Sequence, residues 1–383
     1  MKRKSLIVFG LFITVFFVGG IGGVFFEHSI IPRLASSHFF SRLSWVKSVS
    51  ENITIINKTE QVTIREDDSI EQVVSQPATA VVNIIAIKES VKGAKVPAVH
   101  MSKGTTGVLV TNDGVVATYR DALYEGDAKY AILLENGQSY DARVLGTDPL
   151  TNLSFLKIEG DSLPAIAFAN SDDARVGKKL IAIGNSSTEY QNRFSIGILE
   201  NKDKTFNLAG KTVSSSEKWE GVFSLNIKSP NEYIGGPVVQ WNGEMVGILG
   251  VIDFDNEKKY FVLPSNVVRA ALDAVLRDGF VSRSTLGAYY ISLTKGYAIA
   301  HNTARSEGAL IYSPSGKTSL ALLAGSPAEK AGLLAGDIVT QVNEKTITLD
   351  YPLARAIGEI SKGTSAELTV LRGTEEIRLP VEL

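Results

Sequence analysis

From Ser69 to Pro264 the chain alternates short apolar runs with turn signals. Ala80–Ile87 is one apolar run. Gly107–Thr111 and Val115–Thr118 flank Asn112-Asp113-Gly114, and Tyr130–Leu134 and Ser139–Val144 flank Asn136-Gly137. Both dipeptides supply the left-handed backbone that tight hairpin turns require, so each pair reads as strand, turn, strand. Leu153–Ile158, Lys179–Ile183, Phe194–Leu199, Gly221–Ile227, Pro237–Gln240, Met245–Leu249 and Tyr260–Val262 continue the series. Many short strands at this spacing predict a mainly β barrel or sandwich.

Helical periodicity enters at three kinds of place. Ser69–Val74 predicts a short helix before the first strand. Val267, Val268, Ala271, Leu272, Val275 and Leu276 recur at three- and four-residue steps after Ser265, and Gly279 marks the stop. A second, smaller unit begins near Leu286. It predicts strands around Leu310–Tyr312 and Ile338–Val342, a helix from Ser326-Pro327 that stops before Gly332, and another from about Tyr351 to Ile360.

A different pattern opens the chain. Lys2, Arg3 and Lys4 precede an uncharged run from Ser5 to Phe26. As a helix that run spans roughly 33 Å, enough to cross a bilayer core. The basic cluster predicts a cytoplasmic N-terminus, with the main domains extracytoplasmic at a bacterial-type cell membrane. A cleaved signal peptide is the rival reading. It calls for a shorter apolar core and a small-residue cleavage site, and Phe25-Phe26-Glu27-His28 is a poor one. Gly19, Gly20, Gly22 and Gly23 suit helix packing, or are simply tolerated in a membrane helix. Residues 27–68 read as a connector with strand-like stretches at 52–56 and 61–64. Its aromatics Phe39, Phe40 and Trp45 suit a membrane interface, a subunit contact or a short packed helix.

Composition narrows the chemistry. Net charge is −2 over 383 residues with no basic stretch, so nucleic acid is not expected as a partner. The chain has no cysteine, which excludes disulfides and thiolate metal sites. No metal or cofactor is expected. Histidine occurs at positions 28, 38, 100 and 301 alone.

Several stretches, in order, resemble the HtrA/Deg family of envelope serine proteases. They are Gly104–Val108 with Asp113-Gly114, Gly146–Leu153 with Leu156–Ile158, Val176-Gly177 with Ile181–Asn185, Gly235–Val239 with Gly243–Ile248, and Leu263–Ser265. The resemblance implies a trypsin-like double β-barrel over 69–282 and a small α/β PDZ domain over 283–383, preceded by the transmembrane helix at 1–26. It also implies trimers, or hetero-oligomers with an active homologue.

The resemblance breaks at the positions that carry catalysis. A serine protease needs a hydroxyl nucleophile, an imidazole base and a carboxylate that orients it. Against the family's T-N-x-H-V segment the chain reads Ala117–Ala122, with Arg120 assigned to the histidine. Arginine stays protonated and is no base. The aspartate falls at Asn152, and Ile234, or Tyr233 by another count, stands where serine belongs. No histidine lies between residues 101 and 300. A Lys228–Ser229 dyad is disfavoured because neighbours on one strand face opposite ways. Glu232-Tyr233-Ile234 and the inserted residue are expected to deform the oxyanion loop. The expectation is therefore a catalytically inactive pseudoprotease that scaffolds, holds or regulates other envelope proteins. The alternative is an active envelope endopeptidase of protein quality control with a non-standard active site. A structural anchor is the third class.

In the PDZ part, Thr285-Leu286-Gly287-Ala288 resembles the family's carboxylate-binding loop. By that resemblance Leu286, Gly287, Ala288 and Tyr289 bind peptides or protein C-termini, the peptide adding as an extra strand. Leu353, Ala356 and Ile357 share a helical face and either line the pocket for the last peptide side chain or belong to the core. Gly325–Leu333 and Gly336–Val339 match the domain's structural stretch, with an N-cap, a first-turn proline and a glycine stop.

Overall fold

The computed structural model describes residues 19, 66–88, 101–119, 123, 128–185, 192–254, 256–278, 283–313, 315 and 320–383. The expected membrane helix, apart from Gly19, and the connector up to residue 65 lie outside these. Among the described residues no helix is long and apolar enough to cross a membrane. The chain divides at residue 64, and the account below concerns residues 65–383.

Helix α1 (Glu66–Thr79) buries Val74 and Ala78 and leads into the first barrel. That barrel holds β1 (Val81–Lys88), β2 (Met101–Leu109), β3 (Val115–Tyr119), β4 (Lys129–Leu133), β5 (Ser139–Thr147) and β6 (Leu153–Ile158). It closes in the order β1-β2-β3-β6-β5-β4. The predicted hairpins hold: Leu133 faces Ser139 across the Asn136-Gly137 turn. Strands β3 and β6 are buried along almost their whole length, as apolar runs without alternation require when both faces are covered.

The second barrel contains β7 (Lys179–Asn185), β8 (Asn192–Asn207), β10 (Glu220–Asn226), β11 (Pro237–Val239), β12 (Met245–Phe254) and β13 (Glu257–Pro264). It closes as β10-β13-β12-β11-β7-β8. Strand β8 runs well past the predicted Phe194–Leu199, with register shifts against β10 at its far end. A two-residue strand, β9 (Ser214–Ser215), lies in sequence between β8 and β10 yet takes no part in this barrel. Helix α2 (Ser265–Asp278) follows and buries Val267, Val268, Ala271, Leu272 and Val275 in the first core. The Ser265 hydroxyl donates to the Ala169 carbonyl at 2.7 Å.

The third sheet is made of β14 (Tyr289–Ser292), β15 (Ala309–Ile311), β16 (Ile338–Val342), β17 (Lys345–Thr346), β18 (Ser365–Arg372) and β19 (Glu375–Glu382). Helix α3 (Lys295–His301) escaped the sequence reading: it buries none of its residues, so it carries no apolar stripe. Helix α4 (Pro327–Lys330) begins as expected, with the Ser326 side chain accepting from the Glu329 N–H. Helix α5 (Leu353–Gly358) is shorter than predicted and almost wholly buried. The sheet order is β19-β18-β16-β15-β14-β9, with β17 beside β16. The last strand in that order belongs in sequence to the second barrel.

Candidate active-site cleft and peptide groove

The two barrels meet at Thr106 of β2. Its hydroxyl accepts from the Asn185 N–H of β7 at 2.8 Å, and its carbonyl accepts from the Thr118 hydroxyl at 2.8 Å. The Gly235 backbone packs against the same place. A Cβ there would lie 2.5 Å from Thr118 Oγ1, and φ is +81°, a conformation that glycine tolerates best. The loop at Gly235, where a nucleophile loop is expected, therefore touches β3 at Thr118.

Pro230–Tyr233 forms one 3-10 turn, entered through Ser229 in the left-handed region at φ 52°. Lys228 and Ser229 thus lie beyond the end of β10, not on a strand. The Glu232 N–H donates to the Ser229 carbonyl at 3.1 Å and the Gly236 N–H to the Tyr233 carbonyl at 2.9 Å. Two backbone donors of this loop are therefore engaged within it. The Glu232 side chain pairs with Arg193 at 2.7 Å. Tyr233 is buried, and Ile234 packs half-buried against the core of the barrels.

Asn152 sits in the left-handed region at φ 59°, which asparagine tolerates better than most residues. Its amide nitrogen donates to the Tyr119 hydroxyl at 3.2 Å, and its Oδ1 accepts from Lys218 Nζ at 2.9 Å. The same ammonium donates to the Pro149 carbonyl at 2.8 Å. Tyr119 is buried with its ring edge-on to Phe261. The position expected for an orienting aspartate is thus a neutral amide held by a phenol and an ammonium. Arg120 lies outside the described residues. Counted from Thr118, the T-N-x-H spacing ends on Asp121, one residue past Arg120 and also outside them. His301, the one histidine among the described residues, stacks on Tyr297 in the third sheet's domain at 4.0 Å between ring centroids.

Asp148 anchors the turn that carries Asn152. Its fully buried carboxylate accepts from the Leu150 N–H at 3.0 Å and the Thr151 hydroxyl at 2.9 Å. Arg283 closes on it with two bonds of 3.2 and 2.8 Å and also donates to the Gly358 carbonyl in α5. One guanidinium therefore ties the first barrel to the third domain.

At the loop Leu286–Ala288, where a peptide groove is expected, this chain's own residues are seated. Strand β9 pairs antiparallel with β14, Ser215 facing Tyr289 and Ser214 facing Tyr290. The Ser216 N–H donates to the Ala288 carbonyl at 3.0 Å, and the Ala288 N–H donates to Ser216 Oγ at 3.0 Å. Beyond it, Glu217 Oε1 accepts from the Leu286 N–H at 3.1 Å and the Gly287 N–H at 2.7 Å. A positive φ of 77° at Gly287 aims that loop. Leu353, Ala356 and Ile357 are buried in one core with Leu286 and Ala288. Glu217 and the three serines before it were missed in sequence because a polar Ser-Ser-Ser-Glu run reads as a loop.

Beneath this segment, Tyr290 donates a short hydrogen bond to Glu220 Oε2. Burial raises the Glu220 carboxyl to about 7, with Asp203 adding to the rise while Ser292 and Tyr290 act against it.

Two closed barrels, followed by a sheet that takes an added strand, define a trypsin-like peptidase shell joined to a PDZ domain. Comparison with known proteins agrees. The chain matches the trypsin-like peptidase domain family over residues 104–248 and the PDZ domain family over 319–372. It is similar to the probable periplasmic serine endoprotease DegP-like of Chlamydia trachomatis serovar D, with 29% identity over 280 residues, covering 72% of this chain and 53% of that protein. The protein of the same name from Brucella suis biovar 1 is 29% identical over 283 residues, covering 72% of this chain and 52% of that protein. The chain spans about half the length of these curated relatives. Among solved structures, the HtrA-type protease AlgW with decapeptide aligns at a TM-score of 0.61 and 21% identity, covering 81% of this chain and 96% of that one. AlgW with tripeptide aligns at a TM-score of 0.62 and 22% identity, covering 81% and 95%. The chain thus joins a trypsin-like peptidase domain to a PDZ domain, and these relatives support its resemblance to the HtrA/Deg family.

One expectation is corrected here. The reading of the chain as a non-enzyme, a pseudoprotease, is overturned by relatives that bear the names of serine endoproteases. The expectation rested on the three assigned positions, the lack of histidine over residues 101–300, the disfavoured Lys228–Ser229 dyad and the altered loop at Glu232–Ile234. Tyr119 and Lys218 are further polar groups bonded to Asn152, and Thr118 is one packed beside Gly235.

Proposed function

We propose that the chain is an HtrA-type envelope endopeptidase with a non-standard active site, and that its PDZ domain recognises polypeptide C-termini. The domain pair carries this reading, because the curated relatives with the matching region are named periplasmic serine endoproteases. Peptide hydrolysis by acyl transfer needs a nucleophile, a proton acceptor and donors for the oxyanion. Ile234 brings no hydroxyl and Asn152 no carboxylate, so the reacting groups come from other residues of the cleft. In the same proposal the Ser5–Phe26 run tethers the chain to the membrane with its domains extracytoplasmic, and the barrels assemble as a trimer or with a homologue.

The test is digestion of fluorescent casein by the full chain in detergent micelles, with and without a fluorophosphonate probe. Fragments, their suppression by the probe, and a mass-mapped adduct on a hydroxyl of the cleft are expected. Intact casein together with no adduct would overturn the endopeptidase reading and leave peptide recognition standing by itself.

A further inference from the structure

The segment Val213–Glu217 has four features of a bound peptide tail. It runs antiparallel to β14. It is extended at Ser214-Ser215 and ends beside the Leu286–Ala288 loop. A carboxylate terminates it and takes two backbone N–H donors. Its occupied edge is the one to which an added peptide strand would pair. A peptide C-terminus presents the same groups in the same order: backbone for the ladder, then a carboxylate for the loop.

We propose that Val213–Glu217 is a built-in competitor for the peptide groove, with the Glu217 side chain standing in for a C-terminal carboxylate. This rests on the reading of the Leu286–Ala288 loop as a carboxylate site. Two observations make the occupant displaceable rather than a permanent strand. The β9–β14 pairing is two residues long, and Ser215 and Glu217 are half-buried, although Val213, Ser214 and Ser216 are buried. The segment also has a second set of contacts that persists without the groove. Asn207 Nδ2 donates to the carbonyls of Ser215 at 3.2 Å and Lys218 at 2.9 Å, while Asn207 Oδ1 accepts from the Ser215 N–H at 3.3 Å. The loop therefore stays attached to the second barrel when it leaves β14. The ligand class follows from the chemistry: an extended peptide with a free C-terminal carboxylate and small residues before it, as Ser214, Ser215 and Ser216 are.

The test uses the full chain and a fluorescein-labelled peptide of residues 211–216 with a free C-terminal carboxylate, followed by anisotropy. The same peptide as its C-terminal amide is the control. Glu217→Ala removes the internal carboxylate and is expected to tighten binding of the free acid about tenfold or more, each tenfold step corresponding to about 1.4 kcal/mol. The amide is expected to bind neither form. A second variant guards against misfolding of the first. Ser215 and Tyr289 are directly opposed, in a chain that has no cysteine of its own. Ser215→Cys with Tyr289→Cys joins the segment to β14, since opposed antiparallel positions approach disulfide geometry. Its oxidised form is expected to lose peptide binding and its reduced form to regain it. Equal affinity of wild type and Glu217→Ala, or binding by the oxidised variant, would overturn the competition while the groove reading stands. No binding by any form would remove the groove reading and the proposal together.

Discussion

Lys218 Nζ and Asn152 Oδ1 are 2.9 Å apart, so Asn152 is held by a cation from the loop whose Glu217 accepts from the Leu286 and Gly287 N–H groups. Backbone contacts strengthen the link: the Trp219 N–H donates to the Leu150 carbonyl at 2.8 Å. Asn152→Asp keeps both partners, with Tyr119 then donating to the carboxylate and Lys218 forming a charged pair. It is expected to leave stability within about 1 kcal/mol of the parent. Asn152→Leu strands the phenol and the ammonium and strains a left-handed backbone, at a cost of about 2–4 kcal/mol. Chemical denaturation of the two variants separates these outcomes.

Arg283 and Asp148 form the most buried ion pair among the described residues, with side chains 15% and 0% exposed. Removing one partner of such a pair leaves a charge without compensation. Asp148→Ala is expected to destabilise by about 3–5 kcal/mol. Because Arg283 also holds Gly358, limited proteolysis of this variant should release a fragment that begins near residue 283. A protease-resistant variant would show that the pair does not hold the domains together.

Gly235 cannot carry a side chain without movement of the barrel junction. Its Cβ would strike the Thr106 carbonyl and the Thr118 hydroxyl at a positive φ. Gly235→Ala is expected to cost about 2–3 kcal/mol, combining left-handed strain with the close contact. Thermal unfolding measures it, and an unchanged midpoint would contradict the packing described.

Glu220 makes stability depend on pH in a specific direction. Its folded value is raised from 4.5 to about 7 by burial. The folded state therefore binds the proton more tightly than the unfolded state. The contribution is complete below about pH 4.5 and is lost as pH rises through about 7. Its size is on the order of 3 kcal/mol. Glu220→Gln removes this slope. Unfolding midpoints of the two proteins between pH 5 and 8 should therefore diverge, the parent falling further as pH rises. Parallel curves would refute the assignment.

The strands were legible because their signals are local. Asn136-Gly137 marks a hairpin wherever it stands between apolar runs, and the Leu133–Ser139 pairing follows. The Ser326-Pro327 start of α4 is equally local, one cap and one ring. Helix α3 was not legible, since a short helix that buries nothing has no periodic pattern to read. The partners of Asn152 carry no local signal, since Tyr119 and Lys218 come from positions 33 and 66 residues away.

The sequence by itself determined the strand and helix menu and the absence of cysteine chemistry. Those are properties of neighbours along the chain. Only the tertiary structure decided that Ser214–Glu217 leaves its own barrel to join the PDZ sheet. The reason is physical: a polar loop carries no hydrophobic signal, and its place is set by unpaired donors on Leu286, Gly287 and Ala288 that lie some 70 residues further on. Buried backbone N–H groups must find an acceptor, and here the nearest carboxylate in space comes from the neighbouring domain.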